Sequence, residues 1–137
     1  MKNELMVNNG NFLEEEQKRV YLSKRTDTVE SRKELFNALE KCDMLLNDCI
    51  NQEIDIKDFY IEEYESVKDT GEPTVKYRTI IFDKDGKTYA TGSYGIYNSI
   101  KKLIMVYGYP TYEDEVKVKV IKKPTRSGKQ SLALNLI

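Results

Sequence analysis

Few side chains in this sequence could perform catalysis. The 137 residues contain no histidine, which removes the commonest general base and metal ligand. Cys42 and Cys49 lack the spacing of a zinc site. If both lay on one helix, about 10 Å of rise would separate them, which is beyond the reach of a disulfide. We therefore expect no metal, no other cofactor and no enzymatic activity, and two free thiols favour a reducing compartment.

Two glycine-containing segments resemble ligand sites only loosely. Asp83 and Asp85 could hold a cation, but one turn that ends in glycine is far short of an EF-hand loop and predicts a plain turn. The segment Gly92-Ser93-Tyr94-Gly95 lacks the length and the lysine of a Walker phosphate loop, so it predicts a corner of the chain. Its two glycines could still let a ligand backbone approach closely.

The aromatic composition favours binding over catalysis. The chain has ten tyrosines and no tryptophan, and a tyrosine ring can stack on a nucleic-acid base whatever the sequence. Tyr77 lies beside Lys76 and Arg78, and Tyr89 lies near Lys87. For each tyrosine the alternative is a half-buried strand residue, because tyrosine favours strands in any case. That alternative is weakest for Tyr94, which falls off the apolar stripe of its predicted helix.

The second predicted barrel strand separates its side chains into two faces. Lys76, Arg78, Ile80 and Phe82 share one face by alternation, and its charged start predicts that this face points outward. Phe82 is then either a stacking platform or a core residue, and the sequence leaves the two equal.

Basic residues concentrate near the end of the chain. Lys117 and Lys119 alternate with three valines, and a basic loop over residues 122–129 follows. Such a loop is suited to tracking phosphates. The candidate nucleic-acid-binding residues are Lys76, Arg78, Phe82, Lys87, Tyr89, Tyr94, Lys117, Lys119, Lys122, Lys123, Arg126 and Lys129.

The charges of the two halves differ in sign. Residues 1–66 hold 16 acidic and 9 basic side chains, a net charge of −7, and residues 67–137 hold 7 acidic and 13 basic, a net charge of +6. Chance scatter over a solvated surface is one explanation. The other is that the C-terminal half faces an anion and the N-terminal half does not.

The N-terminal third predicts a flexible start and a helix. Residues 1–12 have the composition of a flexible terminus, and residues 20–22 could form a short strand. Asp27 and Glu30 have the spacing of a capping box, and apolar residues recur behind them at helical spacing, which predicts a helix over 28–47. We expect this segment, residues 13–50, to cover one side or end of a barrel.

The remainder predicts a barrel domain over residues 51–137. The slip in alternation near Asp58 predicts a bulge in a long first strand, and Asp83 to Gly86 predicts a hairpin turn. Five strands are predicted, at residues 53–65, 74–82, 87–91, 116–120 and 131–137. With a helix over about 96–107, their order gives an α+β, mainly β fold: a five-stranded OB-like barrel with one helix between strands 3 and 4 and another at the N-terminus. The N-terminal segment and the barrel together form one predicted domain.

The segments TIIFDKDGKTY (79–89) and TGSYGIYNSI (91–100), with the tail over 116–136, carry a family resemblance. The sequence resembles small phage-encoded single-stranded DNA-binding proteins from phages of low-GC Gram-positive hosts. The resemblance covers roughly residues 50–137. It implies an OB-like barrel that coats single strands during phage DNA replication or recombination.

We therefore expect sequence-tolerant binding of single-stranded DNA, with replication or recombination proteins as further partners and with self-association as an open alternative. No apolar run is long enough to span a bilayer and no signal-peptide pattern is visible, so the expected location is the host cytoplasm. The acidic run Glu14-Glu15-Glu16 is a candidate recruiting element or merely a solvated segment. The competing function is a small protein-binding inhibitor or adaptor that uses the acidic half. It gains if Lys117, Lys119, Lys122 and Arg126 do not line one groove with exposed aromatic residues.

Overall fold

The computed structural model of the protein describes residues 18–24, 26–108 and 115–137. The predicted flexible start at 1–12 and the acidic run at 14–16 lie outside these residues. In chain order the helices and strands are β1 (Lys18–Leu22), α1 (Val29–Glu40), β2 (Met44–Leu45), β3 (Glu53–Val67), β4 (Pro73–Asp83), β5 (Thr88–Thr91), α2 (Tyr94–Tyr107), β6 (Lys117–Pro124) and β7 (Gln130–Leu136). A short 3₁₀ turn, Leu46–Asp48, follows β2. The fold is α+β, as predicted.

The strands form one curled, mixed sheet that resembles half a barrel. Their order is β2-β5-β4-β3-β6-β7, and β1 pairs with β3 in addition. The β2–β5 pair is parallel, and the other pairs of described strands are antiparallel. The predicted five-stranded OB-like barrel is not confirmed: β5 and β7 do not pair within the described residues, and the sheet is a half-barrel.

Strand β3 is the centre of the sheet and changes partner along one edge. It pairs with β4 over almost its whole length. On its other edge, Glu53 to Asp55 pair with β6, and Tyr60 to Tyr64 pair with β1. The register shifts between Ile56 and Asp58. The predicted bulge is therefore present, and it lies where β3 exchanges one neighbour for the other.

Apolar side chains pack on both faces of the sheet. The concave face carries the inner core, and α2 packs against it. The inner core consists of Leu46, Cys49, Ile54, Ile56, Phe59, Ile61, Ile81, Tyr89, Ile96, Ile100, Leu103, Val116, Val118, Val120 and Leu132. On the opposite face, Ala38 of α1 packs with Tyr60, Ile80 and Phe82 in a smaller outer core. Helix α1 therefore covers part of the outer face of the sheet.

Helix α1 is shorter than predicted, and its cap is one residue later. Thr28 is the N-cap: its hydroxyl accepts the N–H of Ser31 at 3.0 Å, and Ser31 Oγ accepts the N–H of Thr28 at 3.1 Å. The predicted Asp27–Glu30 box has the same spacing, so spacing alone could not separate the two. The helix ends at Glu40 because Met44 and Leu45 pair with β5 instead of continuing the turn. The segment predicted as helical, residues 13–50, therefore also contains β1, β2 and a 3₁₀ turn.

Helix α2 lies along the edge of β7 that β6 leaves free. Its Ser99 hydroxyl accepts the N–H of Leu134 at 3.0 Å. Gly95 packs directly against the carbonyl oxygen of Leu132, where a side-chain carbon would overlap that oxygen. An exposed edge strand invites pairing with other chains, and here a helix covers part of the edge.

Candidate nucleic-acid interface

Three tyrosines meet where β4 enters the sheet and α2 begins. The rings of Tyr77 and Tyr97 stack at 4.2 Å between centroids with a 29° interplanar angle. The ring of Tyr94 lies 5.4 Å from that of Tyr77 and 5.9 Å from that of Tyr97. We call these residues the tyrosine cluster. The two separations from Tyr94 lie within the roughly 4.5–7 Å that favours aromatic pairs, and the Tyr77–Tyr97 pair is slightly closer.

The start of α2 fixes the position of the cluster. The Ser93 hydroxyl accepts the N–H of Ile96 at 3.4 Å and caps the helix. Tyr94 and Tyr97 are then three residues apart and share one helix face. Tyr94 is 55% exposed, whereas Tyr97 is partly covered by its neighbours. Tyr94 can therefore offer a ring surface to a ligand, and Tyr97 supports Tyr77 from behind.

Charged groups hold the covered side of the cluster. The Tyr97 hydroxyl donates to Glu63 Oε2 at 3.4 Å, and Arg19 Nη2 lies 2.8 Å from Glu63 Oε1. The ammonium of Lys101 lies 5.2 Å from the centre of the Tyr97 ring. Burial, with the Glu63 charge second, raises the pKa of Tyr77 and of Tyr97 above the usual tyrosine value. Both phenols therefore stay neutral at physiological pH.

An open concavity of about 610 Å³ lies beside the exposed side of the cluster. It is lined by Tyr64, Val75, Lys76, Tyr77, Gly92 and Tyr94. Lys76 is exposed at this surface. Three aromatic residues beside an exposed ammonium group match the needs of a single strand, because its bases stack on rings and its phosphates bind cations.

Two of the predicted stacking residues are buried. Phe82 is 4% exposed and packs under α1 in the outer core. The charged start of β4 predicted that this face of the strand would be open, but α1 covers it. Tyr89 is 6% exposed, belongs to the inner core and donates its hydroxyl to Asp83 Oδ2 at 3.0 Å. For Phe82 the core alternative therefore holds, and neither ring is exposed enough in this structure to stack on a base.

Two of the predicted basic residues have protein partners. Arg78 donates to the carbonyl oxygen of Leu39 near the end of α1, and its Nη1 lies 3.6 Å from Glu62 Oε1. Its guanidinium group therefore ties α1 to the sheet. Lys87 is exposed, and its ammonium lies 5.8 Å from the centre of the Tyr89 ring. Neither residue lines the concavity beside the tyrosine cluster.

The predicted basic loop is mostly a hairpin. Strand β6 continues to Pro124, so Lys122 and Lys123 lie on a strand. The connection to β7 is a tight turn in which the N–H of Thr125 donates to the Lys129 carbonyl at 2.7 Å, and it carries Arg126. All four basic residues are exposed. The prediction ended this strand at residue 120, whereas the observed strand continues to Pro124.

Lys117 and Lys119 lie at the other end of β6. As predicted, they alternate with Val116, Val118 and Val120, which are buried. Lys117 is half-buried and lies 3.8 Å from Glu115. Lys119 pairs in register with Glu53 of β3. Lys117 therefore lies near an acidic side chain, and Lys119 lies opposite an acidic residue in the sheet.

The structure brings together only part of the predicted set. Lys76 and Tyr94 share the concavity, and Tyr94 also shares a second groove, between α2 and the β6–β7 hairpin, with Lys123. Lys117, Lys119, Lys122 and Arg126 do not line either of these grooves. By itself that result favours the adaptor alternative. The prediction missed Tyr97, which its spacing of three from Tyr94 could have identified.

Other site classes find little support. In the described ranges, no group of three or more Cys, Asp or Glu side chains is placed to hold a metal ion. The helices of the same ranges are too short or too polar to cross a bilayer.

Comparison with known proteins points to one family. Residues 14–137 match the family model for the phage single-stranded DNA-binding protein of the phi29 type. No curated protein and no solved structure matches the chain. The match spans β1 to β7 and therefore includes both the tyrosine cluster and the basic hairpin.

Proposed function

Because the chain belongs to the phi29 phage single-stranded DNA-binding protein family, we propose that it coats single strands without regard to sequence during phage DNA replication or recombination. Membership makes the chain a DNA-binding protein and not an enzyme. It also outweighs the adaptor alternative. The observation that carries the site assignment is the tyrosine cluster beside Lys76.

Stacking supplies the contact to the bases. In this proposal one base packs on the exposed ring of Tyr94 and another on Tyr64 or Tyr77, while Tyr97 holds Tyr77 in place. Each stacked base contributes about 1–3 kcal/mol, whatever its identity. The hydroxyl of Tyr97 is held by Glu63, so the rigid side of the cluster does not need to reorganise on binding.

Exposed cations supply the contact to the backbone. Lys76 would meet a phosphate beside the cluster, and the hairpin residues Lys122, Lys123, Arg126 and Lys129 would extend the positive track. Lys117 and Lys119 would contribute more weakly, because Glu115 and Glu53 lie near them or opposite them. Such contacts release counterions, so affinity falls as salt rises.

The architecture supports an OB-like assignment for the half-barrel. The order β5-β4-β3-β6-β7 becomes a closed five-stranded barrel if β5 meets β7, and α2 lies along that edge of β7 instead. OB folds are partly open barrels that bind oligonucleotides. We further propose that the N-terminal segment and the half-barrel form one domain, since α1 shares the outer core with β3 and β4.

Titration of labelled oligo(dT), monitored by fluorescence anisotropy, tests the function. Wild type should bind at low salt, and log Kd should rise with log salt concentration by about 0.7 for each phosphate contact. A mixed-sequence single strand should bind with similar affinity, and a duplex of that sequence more weakly, because its bases are already stacked. Absence of binding at low salt, or affinity indifferent to salt, would contradict the proposal.

The remaining assignments follow from the family. The site of action would be the cytoplasm of the host cell, where phage DNA is replicated. Proteins of phage replication or recombination are the expected further partners.

A further inference from the structure

A second groove runs between α2 and the β6–β7 hairpin. Its volume is about 530 Å³, within the roughly 300–1,000 Å³ that small-molecule sites occupy. One wall is a stripe of α2 with a residue at every fourth position: Tyr94, Asn98, Lys102 and Val106. The opposite wall is the hairpin, including Lys123 and the β7 segment 131–136. We call this the helix–hairpin groove.

The chemistry of the groove suits a nucleotide. Its lining residues are apolar or neutral apart from Lys102 and Lys123, and they include no carboxylate. Both ammonium groups belong to exposed residues. Val106 and Leu136, which also line it, are 72% and 47% exposed. An apolar floor between two cations can take a base against the floor and phosphates at the cations.

The edge of β7 is less suited to an added peptide strand. The N–H of Leu134 already donates to Ser99 Oγ, and Gly95 packs on the carbonyl oxygen of Leu132. Strand addition needs such groups free, because main-chain hydrogen bonds provide its affinity. A nucleotide base that packs between the two walls needs none of these main-chain groups.

Tyr94 connects the helix–hairpin groove with the tyrosine cluster. It lines both the concavity beside the cluster and the groove, and its ring is exposed. From Tyr94 to Lys102 the helix rises about 12 Å, so the two ends of the path lie on one rigid element. A strand stacked on Tyr94 can therefore continue into the groove without leaving the protein surface.

We propose that the helix–hairpin groove is a further nucleotide subsite, in which the DNA strand that stacks at the tyrosine cluster continues past Tyr94, with a base on the apolar floor and phosphates at Lys102 and Lys123. This inference rests on the proposed function. It adds a length requirement, since only a strand long enough to pass Tyr94 reaches the two lysines.

A length series of (dT)n oligonucleotides tests the subsite. Affinity is measured for each length at several salt concentrations, with wild type and with the double variant Lys102→Ala/Lys123→Ala. Binding is followed by the quenching of intrinsic tyrosine fluorescence, which is available because the chain has no tryptophan. The matched control is Lys33→Ala/Lys57→Ala, which removes two exposed lysines from α1 and β3. Thermal melting of each variant checks that it is folded.

The expected difference appears only with long strands. For these the double variant should bind roughly tenfold more weakly at low salt, and its salt slope should be smaller by about 1.4, the value for two phosphate contacts. The shortest oligonucleotides that bind should show neither change, and the control should match wild type at every length. The single variants should each give about half of the change in slope.

Three results would overturn the subsite while leaving the proposed function intact. The first is an equal loss of affinity at all lengths, which would mean general electrostatic attraction. The second is no loss at any length, which is also the result expected if an acidic, apolar peptide occupies the groove. The third is an equal effect of the control pair. Failure of wild type to bind any oligonucleotide would instead remove the proposed function itself.

Discussion

Tyr94 is the residue that the two proposed binding surfaces share, since it lines both. Replacing Tyr94 with alanine should weaken binding of oligo(dT) by about 1–3 kcal/mol and leave the salt slope nearly unchanged, because stacking and not charge is lost. Anisotropy titrations at two salt concentrations measure both quantities. Tyr107→Ala, which removes a half-exposed tyrosine from the last turn of the same helix, is the control and should bind as wild type does. Unchanged affinity in the Tyr94 variant would exclude it from the interface.

Thr79 and Thr91 form a directly opposed pair on β4 and β5 with different hydrogen bonding. Within the described residues Thr79 Oγ1 is buried without a hydrogen-bond partner, whereas Thr91 Oγ1 accepts the N–H of Ser93 at 3.1 Å. A buried polar atom without a partner is costly. Thr79→Val should therefore raise the free energy of unfolding by about 1 kcal/mol, and Thr91→Val should lower it by a similar amount. Urea denaturation measures both, and equal effects of the two substitutions would contradict this assignment.

The buried hydroxyl of Tyr89 makes the free energy of unfolding depend on pH in the alkaline range. Burial, followed by the hydrogen bond to Asp83, raises the pKa of its hydroxyl above the unfolded value of about 10. The folded state therefore holds this proton more tightly, so the contribution to stability is fully present below about pH 10 and is lost as pH rises through the folded-state pKa. Urea denaturation from pH 8 upward should show a steeper alkaline loss for wild type than for Tyr89→Phe. Parallel curves would mean that Tyr89 ionises normally.

At the scale of elements, the contact between α2 and β7 has its narrowest point at Gly95. Alanine normally stabilises a helix relative to glycine, but here its methyl group would overlap the backbone of Leu132 and force the helix away from the strand. Gly95→Ala should therefore lower stability by about 1–3 kcal/mol. Gly92→Ala is the matched control, because a carbon there would lie 3.4 Å from the carbonyl oxygen of Tyr77. Thermal melting that finds Gly95→Ala as stable as wild type would disprove the close packing.

Strand and turn positions were largely predictable from the sequence. The bulge near Asp58 and the turn at Gly86 follow from local patterns, a slip in alternation and a glycine that adopts φ +85°. The end of α1 could not be predicted in this way. Leu45 continues the apolar helical spacing, but Met44 and Leu45 pair with Tyr89 and Ala90, which lie far away in the sequence. The half-barrel shape of the sheet also involves residues far apart in the sequence, namely those where α2 packs on the edge of β7.

Individual site residues were less predictable than the elements that carry them. The buried face of β6 could be identified from the alternation of its valines, but the burial of Phe82 depends on whether another element covers its face. Tyr89 resembled Tyr94 in its basic and glycine-rich surroundings, yet one lies in the inner core and the other at the surface. Periodicity identifies the face of a strand, and only tertiary packing determines which of the two faces meets water.

Across the whole molecule, the basic C-terminal half of the sequence includes the exposed β6–β7 hairpin. The hairpin places Lys122 and Arg126 in solvent. Replacing either with alanine should reduce affinity for oligo(dT) more at low salt than at high salt, and should reduce the salt slope by at most about 0.7. Anisotropy titrations over a range of salt concentrations give the slope, and Lys33→Ala on α1 is the control. An unchanged slope would remove the hairpin from the DNA path.

The change of partner along β3 has a consequence for how the chain folds. On one edge β3 takes β1 after the bulge and β6 before it, so its two neighbours come from opposite ends of the sequence. The β3–β4 hairpin and β1 can associate before β6 is available, whereas the Ile54–Val118 pairing must close a long loop. Helix α2 packs on β7, so Tyr94 and Tyr97 are expected to reach their final positions only when the hairpin docks. The sheet is therefore expected to form in two kinetic steps, with the arrival of β6 and β7 as the slower one.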